Sequence, residues 1–228
     1  MTTCDNTCAD AFDRIVTTRR SVRAFRPDPV PDKLLERVFT LAGKSPSNCN
    51  VQPWITHVAS GQALRNLRAE LAHLSSTKDA APEVPITEDY IEPYRRRRID
   101  AAITLYNATG VTRDDSAGRS RLNLRNYEMF DAPHAAFFFM LRDFGMREAA
   151  DLGIYAQTLM LALTAHGLGS CPQGTLSYYP DAVRRALGVS DDLICLFGLS
   201  FGYPDTGDAT CNAITSRASL SDTVVFHQ

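Results

Sequence analysis

The sequence has few lysines, little net charge and no long apolar run. Lysine occurs only at Lys33, Lys44 and Lys78, and the net charge is -2 over 228 residues. A chain so close to neutral has no basic field that would attract nucleic acid. No apolar stretch approaches the roughly 20 residues that span a bilayer. The segment from Met1 to Asp10 is polar and lacks the basic-then-apolar layout of a signal peptide. These absences predict a cytoplasmic protein with neither a membrane nor a nucleic acid as its partner.

The six cysteines do not indicate a disulfide framework. They are scattered through the chain, and without an export signal we expect them to be free thiols. Cys4 and Cys8 have the i, i+4 spacing of two metal ligands on a helix. No histidine and no second cysteine pair follows nearby, so no metal site is predicted.

The length and the 44% hydrophobic content predict one domain over residues 1–228 with a full core. The patterns predict helices at 11–18, 31 or 32 to about 43, 62–74, 94–109, 113–125, 149–165 and 181–187. They predict strands at 54–59, 135–141 and 193–201, and a loop at 171–175. Few crossovers fit a parallel sheet, so an α+β sandwich is favoured. Residues 77–130 form a long excursion that we interpret as a lid.

Two polar stretches suggest a ligand. The sequence Arg19-Arg20-Ser21-Val22-Arg23 contains three guanidinium groups and a hydroxyl, and the planar guanidinium fork suits a phosphate. The loop of residues 45–54, SPSNCNVQPW, is rich in amides that suit the edge of a flat heterocycle. Together they predict flavin mononucleotide (FMN). The alternatives are a solvated helix end for the arginines and backbone satisfaction within the loop for the amides.

Several motifs in this order resemble the FMN-dependent nitroreductase family. They are RRSVR, SPSNCNVQPW, the apolar helix ending in GLGS, CPQGT, and the tail GYPD…SRASL, and they cover most of the chain outside the lid. The resemblance implies an α+β fold around a mostly antiparallel central sheet flanked by helices. It also implies a homodimer with FMN at the subunit interface and a C-terminal tail swapped onto the partner. The long, arginine-rich lid resembles the branch that handles nitrobenzoate-type compounds.

The resemblance assigns FMN contacts to particular residues of this chain. Arg19, Ser21 and Arg23 match the phosphate and ring-edge positions, Arg20 matches a position acting through its backbone, and Arg217 matches a tail arginine that reaches the phosphate. Pro46, Ser47 and Asn48 match a loop contributed by the other subunit, and Asn50 and Gln52 match amides near the ring and ribityl chain. Pro172, Gln173, Gly174 and Thr175 match the loop opposite flavin N5. Thr215 is a departure, because many members have a basic residue there.

The implied chemistry is hydride transfer from NAD(P)H through flavin N5 to a nitroaromatic or quinone acceptor, in a ping-pong cycle. The catalytic contribution is the backbone of Gln173 and Gly174, with no side-chain acid or base. The predicted substrate contacts in the lid are Tyr90, Tyr94, Arg97, Tyr106 and Phe130. A cationic lid suits an anionic acceptor or the 2′-phosphate of NADPH, and a solvated face is the alternative. The same fold also permits reductive dehalogenation, flavin cleavage or flavin binding without turnover, and the arginines alone permit an anion-binding module without flavin.

Overall fold

The chain folds into a four-stranded sheet with helices on both faces. The computed structural model describes residues 6–87 and 89–228, so Cys4 of the Cys4–Cys8 pair lies outside the described residues. The helices are α1 Asn6–Thr18, α2 Asp32–Ala42, α3 Gly61–Thr77, α4 Tyr94–Thr109, α5 Ser116–Tyr127, α6 Met146–Ala165 and α7 Pro180–Leu187. The strands are β1 Ile55–Ser60, β2 His134–Leu141, β3 Gly169–Gln173 and β4 Leu193–Gly202. Short 3₁₀ turns cover Asn48–Asn50, Met129–Asp131, Gly174–Ser177, Ala209–Asn212 and Leu220–Asp222.

The strand order is β1-β2-β4-β3, and every neighbouring pair is antiparallel. Strand β2 lies inside the sheet, and its side chains alternate between two hydrophobic cores, one on each face. Phe138 packs with α2 and α6 on one face, while Phe137 and Phe139 pack with α3 and α7 on the other. All three phenylalanines are fully buried. The predicted α+β sandwich with an antiparallel sheet is therefore confirmed.

Most predicted elements lie within a few residues of the observed ones, but the loop predicted at 171–175 is wrong. Residues 169–173 form β3, and the chain turns into a 3₁₀ helix only at Gly174. Proline lacks an N–H donor and argues against a central strand. Strand β3 is the last strand of the sheet, and on its outer side the described residues form only an isolated bridge, between Ser21 and Ser170. Pro172 is therefore tolerated there without an N–H donor. Pairing with β4 thus overrides a local composition typical of a loop.

In the described part of the chain, no helix is long and apolar enough to cross a membrane. The same residues contain no group of three His, Cys, Asp or Glu side chains placed to hold a metal ion. Helices α4 and α5 form the body of the predicted lid, and α4 begins and ends at the predicted residues. Pro93 precedes α4 and a left-handed Gly110 follows it, which explains why its bounds could be read from the sequence.

His134 connects β2 to two distant parts of the chain through its imidazole ring. Its Nε2 accepts a hydrogen bond from Val30 N at 2.9 Å, and its Nδ1 lies 2.6 Å from Ser60 Oγ. Because Nε2 accepts from a backbone N–H, the proton is on Nδ1 and the ring is neutral. The side chain is buried, and burial lowers the pKa of His134 despite the opposing charge of Asp32.

Acidification below a pH of about 6.5 is expected to lower the free energy of unfolding. Between a pH of about 6.5 and the lowered native pKa, His134 is protonated in the unfolded chain but not in the folded one. The free energy of unfolding therefore falls as the pH is lowered through this range. His134→Gln should reduce this pH dependence, since an amide can accept from Val30 and donate to Ser60 without titrating. Thermal unfolding at pH 7.5 and 5.5 measures the effect, with exposed His73→Gln as control. An unchanged pH dependence in His134→Gln would contradict the assignment.

Candidate active site

The arginine segment, residues 19–23, runs beside β3 directly after α1 ends. Val22 N donates to Ser170 O at 3.0 Å. The two backbones approach closely because Gly169 has no side chain, and a Cβ there would lie 2.7 Å from Val22 Cγ2. Alternate side chains of an extended segment point to opposite sides, so Val22 is buried while Arg23 is half-buried. The polar residues of the segment are therefore separated from its apolar ones.

Arg19, Arg23 and Arg217 are treated as one positive cluster, because the charge of Arg217 acts on Arg19, and Arg19 and Arg23 both act on the thiol of Cys171. Burial, together with the like charge of Arg217, lowers the pKa of Arg19. Within residues 6–87 and 89–228, none of the three forms an ion pair with a carboxylate. Like charges held together without a counter-charge favour the binding of an anion. The cluster therefore fits a phosphate, whose oxygens accept charge-assisted bonds from guanidinium groups.

The thiol of Cys171 lies beside these arginines but supplies no negative charge. Burial raises its pKa to about 11, although Arg23, the Ser21 hydroxyl and Arg19 act in the opposite direction. The thiol is therefore neutral at physiological pH. Arg20 acts instead on the thiol of Cys211. Burial raises the pKa of Cys211, and the positive charge of Arg20 opposes this rise without cancelling it.

Arg217 is exposed, and its guanidinium is held by its own segment. Its Nη1 donates to Thr215 Oγ1 at 2.9 Å and to the carbonyl oxygens of Thr215 and Ser216 at 3.2 and 2.9 Å. Thr215 was noted as a departure from the family pattern. In this chain it orients Arg217 and adds no second charge.

The amide-rich loop, residues 45–54, is attached to α6. Asn48 N donates to Asp151 Oδ2 at 3.0 Å, and Ser45 Oγ donates to Thr158 Oγ1 at 2.8 Å. Across the residues that the structure describes, no hydrogen bond or ion pair joins this loop to the arginine segment. The structure thus does not bring the two predicted halves of the site together through polar contacts in one chain. Asp151 was missed in the sequence, where the only signal was a carboxylate at the start of an apolar helical run.

The backbone of the loop is left-handed at Cys49, Asn50 and Gln52, with φ of 49°, 56° and 51°. Two internal bonds support this uncommon conformation. Gln52 N donates to Ser47 Oγ at 2.9 Å, and Gln52 Nε2 donates to Asn50 O at 3.1 Å. The exposed side chains of the loop include Pro46, Asn48, Asn50 and Gln52. Asn48 and Asn50 thus present amides that a ligand or a second subunit can reach.

The end of β3 carries the predicted catalytic residues. Gln173 is buried; its Nε2 donates to Asn126 O at 2.8 Å, and its Oε1 accepts from Ser200 Oγ. Both the nitrogen and the oxygen of its side-chain amide thus form hydrogen bonds within the protein. A ligand at this position would therefore contact the backbone of Gln173. Pro172 and Gly174 are exposed. Neither Asn126 nor Ser200 was predicted, because nothing in their local sequence distinguishes them.

Two hydroxyls near the arginine segment and the end of β3 are buried without a hydrogen-bond partner in the described residues: Ser170 Oγ and Thr175 Oγ1. Unpaired buried polar atoms are uncommon, and each calls for a physical explanation. Thr175 belongs to the 3₁₀ turn Gly174–Ser177, which lies against β4 because Gly198 has no side chain. A Cβ at Gly198 would lie 2.6 Å from Leu176 Cδ1. The Thr175 hydroxyl thus lies unpaired directly after Gly174 of the predicted flavin site.

Residues between Ile99 and Arg119, in the predicted lid, line a cavity of about 810 Å³, within the range of small-molecule sites. It is lined by Ile99, Ala102, Ile103, Tyr106, Asn107, Gly110, Val111, Thr112, Arg113 and Arg119. Aliphatic side chains from α4 form one wall, while Arg113 and Arg119 add positive charge. The arrangement suits an apolar molecule with an electron-rich or anionic group. The two arginines were not among the predicted substrate residues.

The structure separates the predicted substrate residues. Tyr106 lines the lid cavity. Phe130 is buried among Val22, Phe25, Ala132 and Cys171, and it also borders a small cavity of about 20 Å³ beside Arg23. Tyr90, Tyr94 and Arg97 are exposed, and the Arg97 guanidinium carbon lies 5.5 Å from the Tyr94 ring centroid. These three do not line either cavity.

Comparisons with known proteins agree with the fold and the motifs. The model of the nitroreductase family matches residues 16–203. The chain is 42% identical over 219 residues to nitroreductase NfnB of Mycolicibacterium smegmatis, covering 96% of this chain and 93% of the relative. It is 33% identical over 205 residues to 4-nitrobenzoate reductase of Pseudomonas putida, covering 90% of each.

The solved structures give the same result. FMN-dependent NfnB from Mycobacterium smegmatis, crystallised in complex with NADPH, superposes with a TM-score of 0.92 at 42% identity. The alignment covers 96% of this chain and 99% of that one. With a family match over most of its length and full-length relatives of high identity, the chain belongs to the nitroreductase family.

Proposed function

We propose that this chain is an FMN-dependent oxidoreductase that uses NAD(P)H to reduce nitroaromatic or quinone acceptors. The observation that carries the proposal is the pair Arg19 and Arg217, two like charges without a carboxylate partner in the described residues. A phosphate would neutralise them. The names of the relatives support FMN as cofactor, NADPH as donor and a nitroaromatic as acceptor.

The residues proposed to hold FMN belong to three groups. They are Arg19, Arg20, Ser21, Arg23 and Arg217 for the phosphate and ring edge; Pro46, Ser47, Asn48, Asn50 and Gln52 from the loop; and Pro172, Gln173, Gly174 and Thr175 at the end of β3. When bound, FMN supplies the transfer of hydride from NAD(P)H to the acceptor. The chain itself binds the phosphate with charge-assisted bonds and presents the backbone of Gln173 and Gly174 to the reacting face. No side chain acts as acid or base.

We infer that two copies of the chain build each site. The loop of residues 45–54 has no polar link to the arginine segment in the described residues, which is consistent with a loop supplied by a second subunit. The C-terminal tail exposes apolar side chains, with Val225 and Phe226 each 74% exposed. An unpartnered apolar tail of this kind is suited to pack on a partner subunit. Sedimentation equilibrium should give the mass of two chains, and the mass of one chain would contradict the inference.

We interpret the chain as one domain with residues 77–130 as its lid, and we place the acceptor in the lid. The cavity of about 810 Å³ beside Tyr106 supports this, as do the cations Arg113 and Arg119 on its wall. Phe130 borders the small cavity at Arg23, between lid and arginine segment. Arg97, exposed beside Tyr94, would attract an anionic acceptor before it binds, and the exposed Tyr90 and Tyr94 remain proposed contacts for its aromatic ring.

A cytoplasmic location is also proposed. Its support is chemical: Cys8, Cys49, Cys171, Cys195 and Cys211 are all free in the described residues. Free thiols persist in reducing compartments. Cell fractionation tests the proposal, and recovery in an oxidising compartment would overturn it.

An anaerobic visible spectrum, recorded before and after addition of NADPH, tests the function. A yellow protein that bleaches with NADPH and regains its colour with 4-nitrobenzoate is the expected result. A yellow protein that does not bleach would indicate flavin binding without this activity. A protein that cannot be loaded with FMN would overturn the proposal, and loss of FMN on exposure of the reduced protein to air would favour flavin cleavage.

A further inference from the structure

Gln173 joins three elements that meet beside the proposed flavin site. It is the last residue of β3, and the residue is 4% exposed. Its Nε2 donates to Asn126 O at 2.8 Å, in the last turn of lid helix α5, while its Oε1 accepts from Ser200 Oγ on β4. Asn126 is 47 residues away in sequence. The buried side-chain amide of Gln173 thus joins lid helix α5 to strand β4. Gln173 lies directly before Gly174 in the sequence.

The chain leaving α5 has a second attachment to the same region. Met129, Phe130 and Asp131 are left-handed, with φ of 56°, 54° and 63°. Three consecutive non-glycine residues in this region are uncommon and persist only where the surroundings hold them. This conformation buries Phe130 against Cys171 of β3. The apolar contact limits how far α5 can move, and the Gln173 amide determines its position within that range.

We propose that Gln173 is a positioning residue whose side-chain amide holds lid helix α5 at the end of β3. The tether is a property of the fold, but its kinetic consequence rests on the proposed function. With the amide present, α5 stays in the arrangement that receives the acceptor. Without it, α5 samples other positions, and the acceptor binds only the fraction of molecules that are correctly arranged. The apparent dissociation constant then rises in inverse proportion to the fraction that stays correctly arranged.

Gln173→Met is the main test, because methionine is unbranched and similar in length but forms neither amide bond. Hydrogen exchange of the α5 amides is expected to become about tenfold faster, while the amides of β2 exchange as in the wild type. In the FMN-loaded protein, kcat/KM for 4-nitrobenzoate is expected to fall about tenfold, mainly through a rise in KM. Bound acceptor selects the positioned lid, so most of the loss appears in KM and not in kcat. A variant that merely unfolds in part would instead lose kcat at constant KM.

Ser200→Ala is the matched control. It removes the bond to β4 and keeps the bond to Asn126, so α5 exchange and KM are expected to stay at wild-type values. Gln173→Asn keeps an amide but is one methylene too short to join both partners, and it replaces the methionine variant if that one does not fold. Equal effects of Ser200→Ala and Gln173→Met, or wild-type exchange of α5 in both Gln173 variants, would overturn the proposal. The exchange measurement needs no flavin, so failure to bind FMN overturns the proposed function alone.

Discussion

Replacing Arg19 with alanine is expected to weaken FMN binding by roughly 10- to 150-fold. A hydrogen bond to a charged group contributes about 1.5–3 kcal/mol, and each 1.4 kcal/mol is about tenfold in affinity. Arg19 is half-buried beside Arg217 and has no ion-pair partner in residues 6–87 and 89–228. A phosphate is the group that would satisfy it. Arg217→Ala is expected near the lower end of the range, because Arg217 is exposed and its bonds are screened by solvent.

Arg19→Ala should not destabilise the FMN-free protein and is expected to leave its Tm unchanged or raise it. Burial and the charge of Arg217 both disfavour protonated Arg19. Removing one of the two charges therefore relieves repulsion in the empty site. Thermal unfolding should show an unchanged or higher Tm for the FMN-free variant, and a smaller rise in Tm on adding FMN than in the wild type. A structural role for Arg19 would instead lower Tm in both forms.

Fluorescence titration of FMN measures the affinities directly. Arg65→Ala is a suitable control, because it makes the same change in net charge on the exposed side of α3, where the Arg65 guanidinium donates hydrogen bonds to Gln62. Its FMN affinity should equal that of the wild type. If Arg19→Ala and Arg217→Ala also retain FMN as tightly as the wild type, the phosphate site lies elsewhere.

Local signals in the sequence were sufficient for most helices and strands but not for the sheet edge. Helix α4 was predicted to the residue because Pro93 and Gly110 mark its ends. The continuous apolar run at 135–141 identified β2 within one residue. Strand β3 was predicted as a loop, because its pairing with β4 comes from residues that follow about 30 positions later in the chain. The local amino-acid pattern of β3 therefore contains no information about a partner strand so distant in the sequence.

In the candidate site, too, local features could be predicted from the sequence and contacts between distant residues could not. The arginines and amides were found because their chemistry matches a family motif at a recognisable spacing. The residues that hold them in place were not found, because each acts through a contact distant in sequence. Asp151 anchors Asn48 over 103 residues, and Asn126 meets Gln173 over 47. Buried polar partners of this kind are determined by tertiary packing, and only the folded chain shows them.

Glu83 illustrates how strongly such a partner can affect the fold. It lies in the segment proposed to begin the lid, and its side chain is 13% exposed. Its Oε1 accepts from Arg184 Nη2 and, at 2.7 Å, from Arg142 Nη2, while Oε2 accepts from Cys195 N at 3.1 Å. Burial disfavours its charged form, but the bonds from Arg184, Cys195 and Arg142 outweigh burial and lower the pKa of Glu83.

Glu83→Ala is expected to lower the free energy of unfolding by about 3–5 kcal/mol, because it leaves the charge of Arg184 buried without a buried partner. Arg184 is 7% exposed, and the other carboxylates near it, Asp181 and Asp191, are solvent-exposed. For a chain of this length the loss corresponds to a fall in Tm of roughly 6–20 °C. Thermal unfolding at neutral pH measures it. Glu70→Ala is the matched control, since it breaks an ion pair with Arg185 that is largely exposed and should cost about 0–1 kcal/mol.

The pH dependence provides an independent check on the origin of this loss. A carboxyl group with a lowered native pKa stabilises the fold above its unfolded pKa of about 4.5, and this stability disappears as the pH falls through the native pKa. The difference in Tm between wild type and Glu83→Ala should therefore be largest near neutral pH and shrink as the pH is lowered below about 4.5. A difference that stays constant down to acid pH would mean that Glu83 acts through packing, and a difference no larger than that of Glu70→Ala would mean that the buried pair contributes little.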